Sequence, residues 1–389
     1  MTEMILLPIL SLFTLWLLND YLRTRLNSVE DRYMEHYGKD DWKSSNMELV
    51  LQCTPQNDKV LKQRFQNAIS RYLDTSEGKA SLLYEVARTD GEKLAYETLD
   101  FVQFFDLLQP RNGVYFDMSQ TGKITVVWSH IQCDGVGIWR TLRPLFDANP
   151  PLIPYRKIPP PPPFIPELFA LPIALRNSLL RSQLRAPEQA RVHKGHVLWR
   201  AETFQSLKRR TKIPFNLLSS AKVVENIFQR HPETQALNVG LTVYFPFLKS
   251  RNKYGVILAR VKRDSMVGIA KQLYKQSKNP IQIWGNCSLQ SYTLNRLPKS
   301  VFLNVMSYYR KQIDVLISNL PVGKNPITLC SVPTNLACYS PELSLPYYFL
   351  LMGTRSEIHV SYSSKFPQRQ AFLHSESLNA EAKSFITAD

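Results

Sequence analysis

Trp128-Ser129-His130-Ile131-Gln132-Cys133-Asp134-Gly135-Val136-Gly137-Ile138-Trp139 is the stretch on which the reading of the fold turns. It follows Lys123-Ile124-Thr125-Val126-Val127, a run rich in β-branched residues that reads as a strand. Alternation along that strand puts Ile124, Val126, Trp128 and His130 on one face. The strand ends at His130 or just after it. Asp134 lies in the turn that follows, Gly135 permits a tight exit, and the segment from Gly135 to Asn149 reads as a short helix bent or ended near Pro144. A histidine at a strand end on a tight turn is placed to face a cleft. An aspartate inside the turn can hold it by charge-assisted hydrogen bonds.

Working outward, the segment from Asn57 to Leu73 has Val60, Leu61, Phe65, Ala68, Ile69 and Tyr72 at helical spacing. Residues 79–88 read as a strand. From Asn149 to Pro166 the chain is too proline-rich for helix or central strand and predicts an extended crossover between two halves. The second half opens on a basic amphipathic helix, Glu167 to Arg185, suited either to covering the core or to lying on a membrane. Helices are then predicted over 216–231 and 265–278, and strands over 236–247, 254–263, 313–321 and 357–364. The alternation predicts an α/β protein in two halves without internal repeats.

The chain has 389 residues, 44% hydrophobic, which suffices for two cored domains. Its formal charge of +16 suits an anionic membrane surface or a phosphorylated substrate. No zinc finger, basic zipper or RNA-recognition signature is present, so nucleic acid is not an expected partner. Five cysteines, none spaced CxxC, argue against a disulfide framework and a structural zinc site and suit a reducing compartment. His193 and His196 have metal-like spacing without a nearby third ligand, so no metal is expected there. Cys133 reads as a buried structural thiol rather than a nucleophile.

Met4 to Leu18 is apolar except for Ser11 and Thr14 and would span about 22 Å as a helix, against a hydrocarbon core of about 30 Å. No cleavage site follows. Arg23 and Arg25 on its C-terminal flank place the main body in the cytosol by the positive-inside rule. We read residues 1–20 as a membrane anchor or monotopic helix; the alternative is a buried helix of a soluble protein.

Ser129-His130-Ile131-Gln132-Cys133-Asp134-Gly135 resembles the HHxxxDG motif of the chloramphenicol-acetyltransferase-like acyltransferase superfamily, nearest to its wax ester synthase/diacylglycerol acyltransferase branch. Asn27 to Gly38 resembles that family's opening segment. Thr211 to His231 resembles its asparagine-bearing helix, with Asn216 at the asparagine and Leu217 in place of the following aspartate. Asp314 to Leu329 resembles its SNVPGP strand and turn through Ser318, Asn319 and Pro321. These matches fall in the family's order over most of residues 28–370. Ser129 stands where the family has its first histidine.

The resemblance implies two chloramphenicol-acetyltransferase-like domains, each a mixed sheet flanked by helices: one over 21–150, a proline-rich linker over 151–166, and the other over 167–389. It implies an active site between them, with His130 as general base and Asp134 as a brace for its loop. Gly135 completes the turn. Ser129 either orients the histidine or satisfies the strand end. Asn216 is either a donor to the developing oxyanion or a helix cap. Ser318 and Asn319 fix the turn or line the channel. The implied chemistry is direct acyl transfer from acyl-CoA or an acyl carrier protein, with no permanent cofactor, to a lipophilic alcohol. The alternatives are a condensation-like enzyme forming an amide from a carrier-bound acyl group, and an inactive relative that binds lipid or a partner at the membrane. No GxSxG elbow, P-loop or dinucleotide fingerprint offers a different chemistry.

Overall fold

A computed structural model describes residues 46–73, 87–90, 93–97, 113–129, 166–185, 192–244, 254–289, 297–321, 328–339, 345–354 and 356–366, together with Thr14. The proposed anchor at 4–18 (Thr14 apart), the opening segment 27–38, the helix after Gly135 and the proline-rich crossover before Pro166 lie outside these residues.

The first sheet is built from β1 (Asn46–Gln52), β2 (Ala87–Asp90), β3 (Lys93–Glu97), β4 (Gly113–Asp117) and β5 (Lys123–Ser129). Its order is β12-β1-β5-β4-β3-β2, where β12 (Asn335–Tyr339) arrives from the second half of the chain. Each of its pairings is antiparallel. Helix α1 (Asp58–Leu73) lays Leu61, Phe65 and Ile69, spaced i, i+4, i+8, into the core on this sheet. Phe65 meets Phe116 edge to face at 5.3 Å.

The start of β5 is fixed by Gly122. Its φ is +71°, and a Cβ there would stand 2.9 Å from the Cys53 carbonyl oxygen. Gly122 donates its N–H to Asp58 Oδ1 at 2.7 Å, and Cys53 N–H donates to the Gly122 carbonyl at 2.9 Å. The turn into β5 is thereby tied to the first residue of α1 and to the chain leaving β1.

The second sheet has the order β6-β14-β13-β9-β7-β8. Its strands are β6 (His193–Arg200), β7 (Ala236–Tyr244), β8 (Tyr254–Lys262), β9 (Val315–Pro321), β13 (Tyr347–Gly353) and β14 (Glu357–Ser364). It is mixed: β9 runs parallel to both β7 and β13, and the other pairs are antiparallel. One face is covered by α3 (Ala201–Thr211), α4 (Phe215–Arg230) and α5 (Met266–Lys278), which share a core with Val239, Ile317, Phe349 and Val360. The other face, through Leu316, Leu320, Tyr348, Leu350 and Met352, belongs to the cluster that holds Leu49, Val126 and Trp128 of the first sheet.

A third, smaller cluster joins α2 (Pro166–Leu179) and α7 (Lys299–Lys311) through Ala170, Ile173, Phe302 and Met306, with Leu289 from the end of α6 (Pro280–Ser288). The sequence pattern runs the first of these helices to Arg185, but it ends at Leu179. The backbone N–H groups of Gln183 and Leu184 are taken instead by the buried carboxylate of Asp314, which also accepts from Ser182 Oγ and from Asn238 N–H.

A short hairpin, β10 (Thr328–Leu329) with β11 (Val332–Pro333), turns through Cys330 and Ser331, both at positive φ. It leads into β12, where Leu336 and Cys338 face Leu51 and Leu49 of β1. The two halves are therefore interlocked, since a strand of the second completes the sheet of the first.

Candidate active site

β5 is held between β1 and β4. Ile124, Val126 and Trp128 are buried on one face, while Thr125 and Val127 between them are only half-buried. The alternation expected from the sequence is present, and the strand closes on Ser129, paired with Asn46 at the start of β1. His130, Cys133, Asp134 and Gly135 lie outside the described residues.

In the second half of the chain, α4 begins after Pro214, which is its N-cap and supplies no side-chain cap. Asn216 is therefore not the helix cap that the sequence allows. It lies one residue inside the first turn with its side chain exposed. Its carbonyl accepts from Ser220 Oγ at 2.7 Å and from Ser219 Oγ at 3.0 Å. Asn319, near the end of β9, donates from Nδ2 to Ser220 Oγ at 3.1 Å. The asparagine-bearing helix and the Ser318-Asn319 strand are thus joined through the Ser220 hydroxyl, while Ser219 bonds only within its own helix; both are buried, and the sequence reading draws on neither. The start of the helix also rests on β13: a Cβ on Gly353 would stand 3.1 Å from the Phe215 ring.

Ser318 and Asn319 point to opposite faces of the second sheet. Asn319 faces α4 and fixes the strand to the helix. Ser318 lies on the side of Leu316 and Leu320, toward the first sheet, and accepts from Thr242 Oγ1 at 3.1 Å.

A further polar constellation lies where β12 meets β14 and β6. Leu336 and Cys338 turn backbone groups away from β1, leaving an edge to be satisfied. Ser361 Oγ accepts from Cys338 N–H at 2.9 Å. His196 and His359 stack on each other, centroids 5.7 Å apart and 27° between planes. Burial pushes His359 down to about 4, the neighbouring His196 adds to this, and a hydrogen bond to the Leu336 backbone opposes it. Burial likewise lowers His196, against its own hydrogen bond to Leu336. His196 Nε2 and His359 Nδ1 have no hydrogen-bond partner among the described residues.

His193 and His196 do not form a pair. An offset of three in a strand places them on opposite faces, so their spacing has no ligand geometry behind it. His359 and Ser361 carry a signal in the sequence, the alternation of Glu357, His359, Ser361 and Ser363 against Ile358, Val360 and Tyr362. That pattern suits a solvent-facing side, whereas His359, Ser361 and Ser363 are buried here.

The architecture has counterparts among solved structures. The chain superposes on the wax ester synthase/diacylglycerol acyltransferase from Marinobacter aquaeolei VT8 with a TM-score of 0.53 and 13% identity, covering 88% of this chain and 95% of that one. On the first condensation domain of the CDA synthetase the values are 0.51 and 12%, with 93% and 94% covered. On polyketide synthase associated protein 5 from Mycobacterium tuberculosis they are 0.50 and 10%, with 87% and 95% covered. No protein-family model matches the sequence, and no curated protein matches it either. At these identities the likeness establishes the fold: the chain has the two-sheet, chloramphenicol-acetyltransferase-like architecture that its motifs imply.

Proposed function

We propose that this chain transfers an acyl group from a thioester, either acyl-CoA or an acyl carrier protein, to the hydroxyl of a lipophilic acceptor, with His130 as general base. The observation that supports the reading is that the HxxxDG segment follows directly in sequence on β5, a strand hydrogen-bonded on both sides and buried through Trp128, in a chain with the fold of the wax ester synthase/diacylglycerol acyltransferase it superposes on.

In this reading the neutral imidazole of His130 takes the acceptor's hydroxyl proton as the oxygen attacks the thioester carbonyl carbon. The carbon–sulfur bond then breaks, and the same imidazole returns the proton to the departing thiolate. No covalent acyl-enzyme forms. Asp134 and Gly135 shape the turn that aims the imidazole, and Ser129 occupies the place of the family's first histidine. Asn216, whose backbone carbonyl is tied through Ser220 to Asn319, carries an exposed side-chain amide that is the candidate donor to the oxyanion. Ser318, on the side of its sheet that faces the first, is a candidate to line the substrate channel.

Residues 4–18 supply the membrane association in this reading and leave the main body in the cytosol, where a lipophilic alcohol partitioned into the bilayer is within reach. Among the described residues no helix is long and apolar enough to cross a membrane. The likeness to a condensation domain supports a second reading, in which an amine accepts an acyl group held on a carrier protein. Thioester consumption with a panel of acyl-CoAs, against alcohols and amines in parallel, tests the proposal. Turnover with an alcohol supports it. Turnover only with a phosphopantetheinylated carrier and an amine selects the second reading, and no turnover with any pair contradicts both.

A further inference from the structure

Eight large apolar side chains stand exposed among the described residues, and six of them belong to the three-helix unit of α2, α6 and α7. Leu171 (59% exposed), Leu175 (58%) and Leu179 (82%) form a ridge on α2, and Ile281, Val301 and Tyr308 stand on its two neighbours. The spacing i, i+4, i+8 makes the leucines one line about 12 Å long on the outer side of the helix. The inner side is already used: α2 packs along α6, Ala170 and Ile173 share a buried cluster with Leu289, Phe302 and Met306, and the Tyr308 hydroxyl donates to the Ser178 carbonyl at 2.7 Å. The ridge is thus left over after the helix has met its core requirement, and Leu179 at its end is almost fully solvated.

Charge along this part of the chain is mainly positive, with Glu167 in the first turn of α2 as its one acidic residue before Arg185. From Leu168 to Arg185 there is no acidic residue, and Arg181 and Arg185 are exposed just beyond the helix. Between Asp264 and Asp314 the sequence again has no Asp or Glu, against Lys271, Lys275, Lys278, Arg296, Lys299, Arg310 and Lys311. The stretch includes all of α5, α6 and α7. An exposed leucine ridge continued by Arg181 and Arg185 is complementary to a bilayer surface, whose anionic headgroups take the basic side chains while the leucines reach the acyl boundary.

We infer that the outer face of α2, through Leu171, Leu175 and Leu179 with Arg181 and Arg185, docks the protein on an anionic phospholipid surface. This face draws on α2 and the residues just after it, not on His130, Asn216, Ser318 or residues 4–18, and its docking stands whatever chemistry the site performs.

The test uses the full-length chain and extruded vesicles of phosphatidylcholine, with and without phosphatidylglycerol, read by co-sedimentation. Leu171→Ser/Leu175→Ser/Leu179→Ser should lower partition onto the anionic vesicles by about tenfold or more, and Arg181→Glu/Arg185→Glu should lower it on anionic but not on neutral vesicles. Circular dichroism serves as the folding control. A single Leu179→Cys variant carrying an environment-sensitive dye reads the same face without disturbing the ridge, and its emission should shift to the blue when anionic vesicles are added. Parental partition by the triple serine variant, or a dye that does not respond, overturns the inference and leaves any vesicle binding to other segments such as residues 4–18. A lipid-free dimer that the serine substitutions dissolve also overturns it, and assigns the face to a second copy of the chain.

Discussion

Removing the Asp314 carboxylate should cost about 4 kcal/mol of stability, the largest loss we expect from any single polar side chain described here. Asp314 is fully buried at the start of β9 and receives only donors. Oδ1 accepts from Ser182 Oγ, from Gln183 N–H at 2.7 Å and from Leu184 N–H at 2.8 Å, and Oδ2 accepts from Asn238 N–H at 2.7 Å. Burial raises the carboxyl above its ordinary range, and the hydrogen bonds from Asn238, Ser182, Leu184 and Gln183 partly pull it back. Asp314→Ala leaves three backbone N–H groups without an acceptor, each worth about 1–3 kcal/mol if water does not reach it. Some water will enter, which sets the total near 4 rather than near 9 kcal/mol. Asp314→Asn keeps the shape, and its oxygen can keep the three donors at Oδ1. Its amide then points N–H at N–H toward Asn238, for about 2 kcal/mol. Urea unfolding of parent and both variants, with a shared slope, reads the two differences. An alanine variant within about 1 kcal/mol of the parent would mean that the chain leaving α2 is not held by this carboxylate.

Two further outcomes follow from the polar groups. His359 sits at about 4 in the folded protein and near 6.5 unfolded, so as pH falls below about 6.5 the unfolded chain binds a proton that the folded one refuses. Stability should therefore decline by about 1.4 kcal/mol per pH unit toward pH 4 from this ring alone, with His196 and His231 acting in the same direction. His359→Gln should flatten that slope in urea melts at about pH 7 and pH 5, and an unchanged slope would remove the ring from the acid response. Separately, Asn319→Ala and Ser220→Ala should each cost about 1 kcal/mol and together less than their sum, since one hydrogen bond is lost in both. Strict additivity in the double-mutant cycle would show that the strand and α4 are not coupled there.

What the sequence discloses and what it hides divide along physical lines. β5 and α4 are legible because a buried face repeats every second or every third to fourth residue, and that pattern is local. The last turn expected of α2 is absent because its N–H groups go to an aspartate 130 residues away, which no local pattern encodes. β12 is five residues long, and its pairing with β1 leaves no mark on either strand alone, so the interlocking of the two halves is invisible before the sheet order is known. The burial of His359 and Ser361 is hidden for a related reason. A polar face in alternation is a solvent face unless another element's open edge covers it, and here that edge belongs to the other sheet. At the candidate site, the motif names Asn216 and Asn319 but not Ser219 and Ser220, because a serine inside a helix carries no distinguishing signal until its partner is placed.

The central claim is that His130, delivered by the end of β5, is the base of an acyl-transfer reaction. The direct measurement is turnover of an accepted thioester by the parent and by His130→Ala at about pH 7.5, with circular dichroism to confirm folding. The expected result is a folded variant slowed by about 10²–10⁴-fold with donor binding little changed, and a parental rate that rises with pH through the histidine range, near 6.5 for an unperturbed ring. A folded variant that retains more than about a tenth of the parental rate would contradict it.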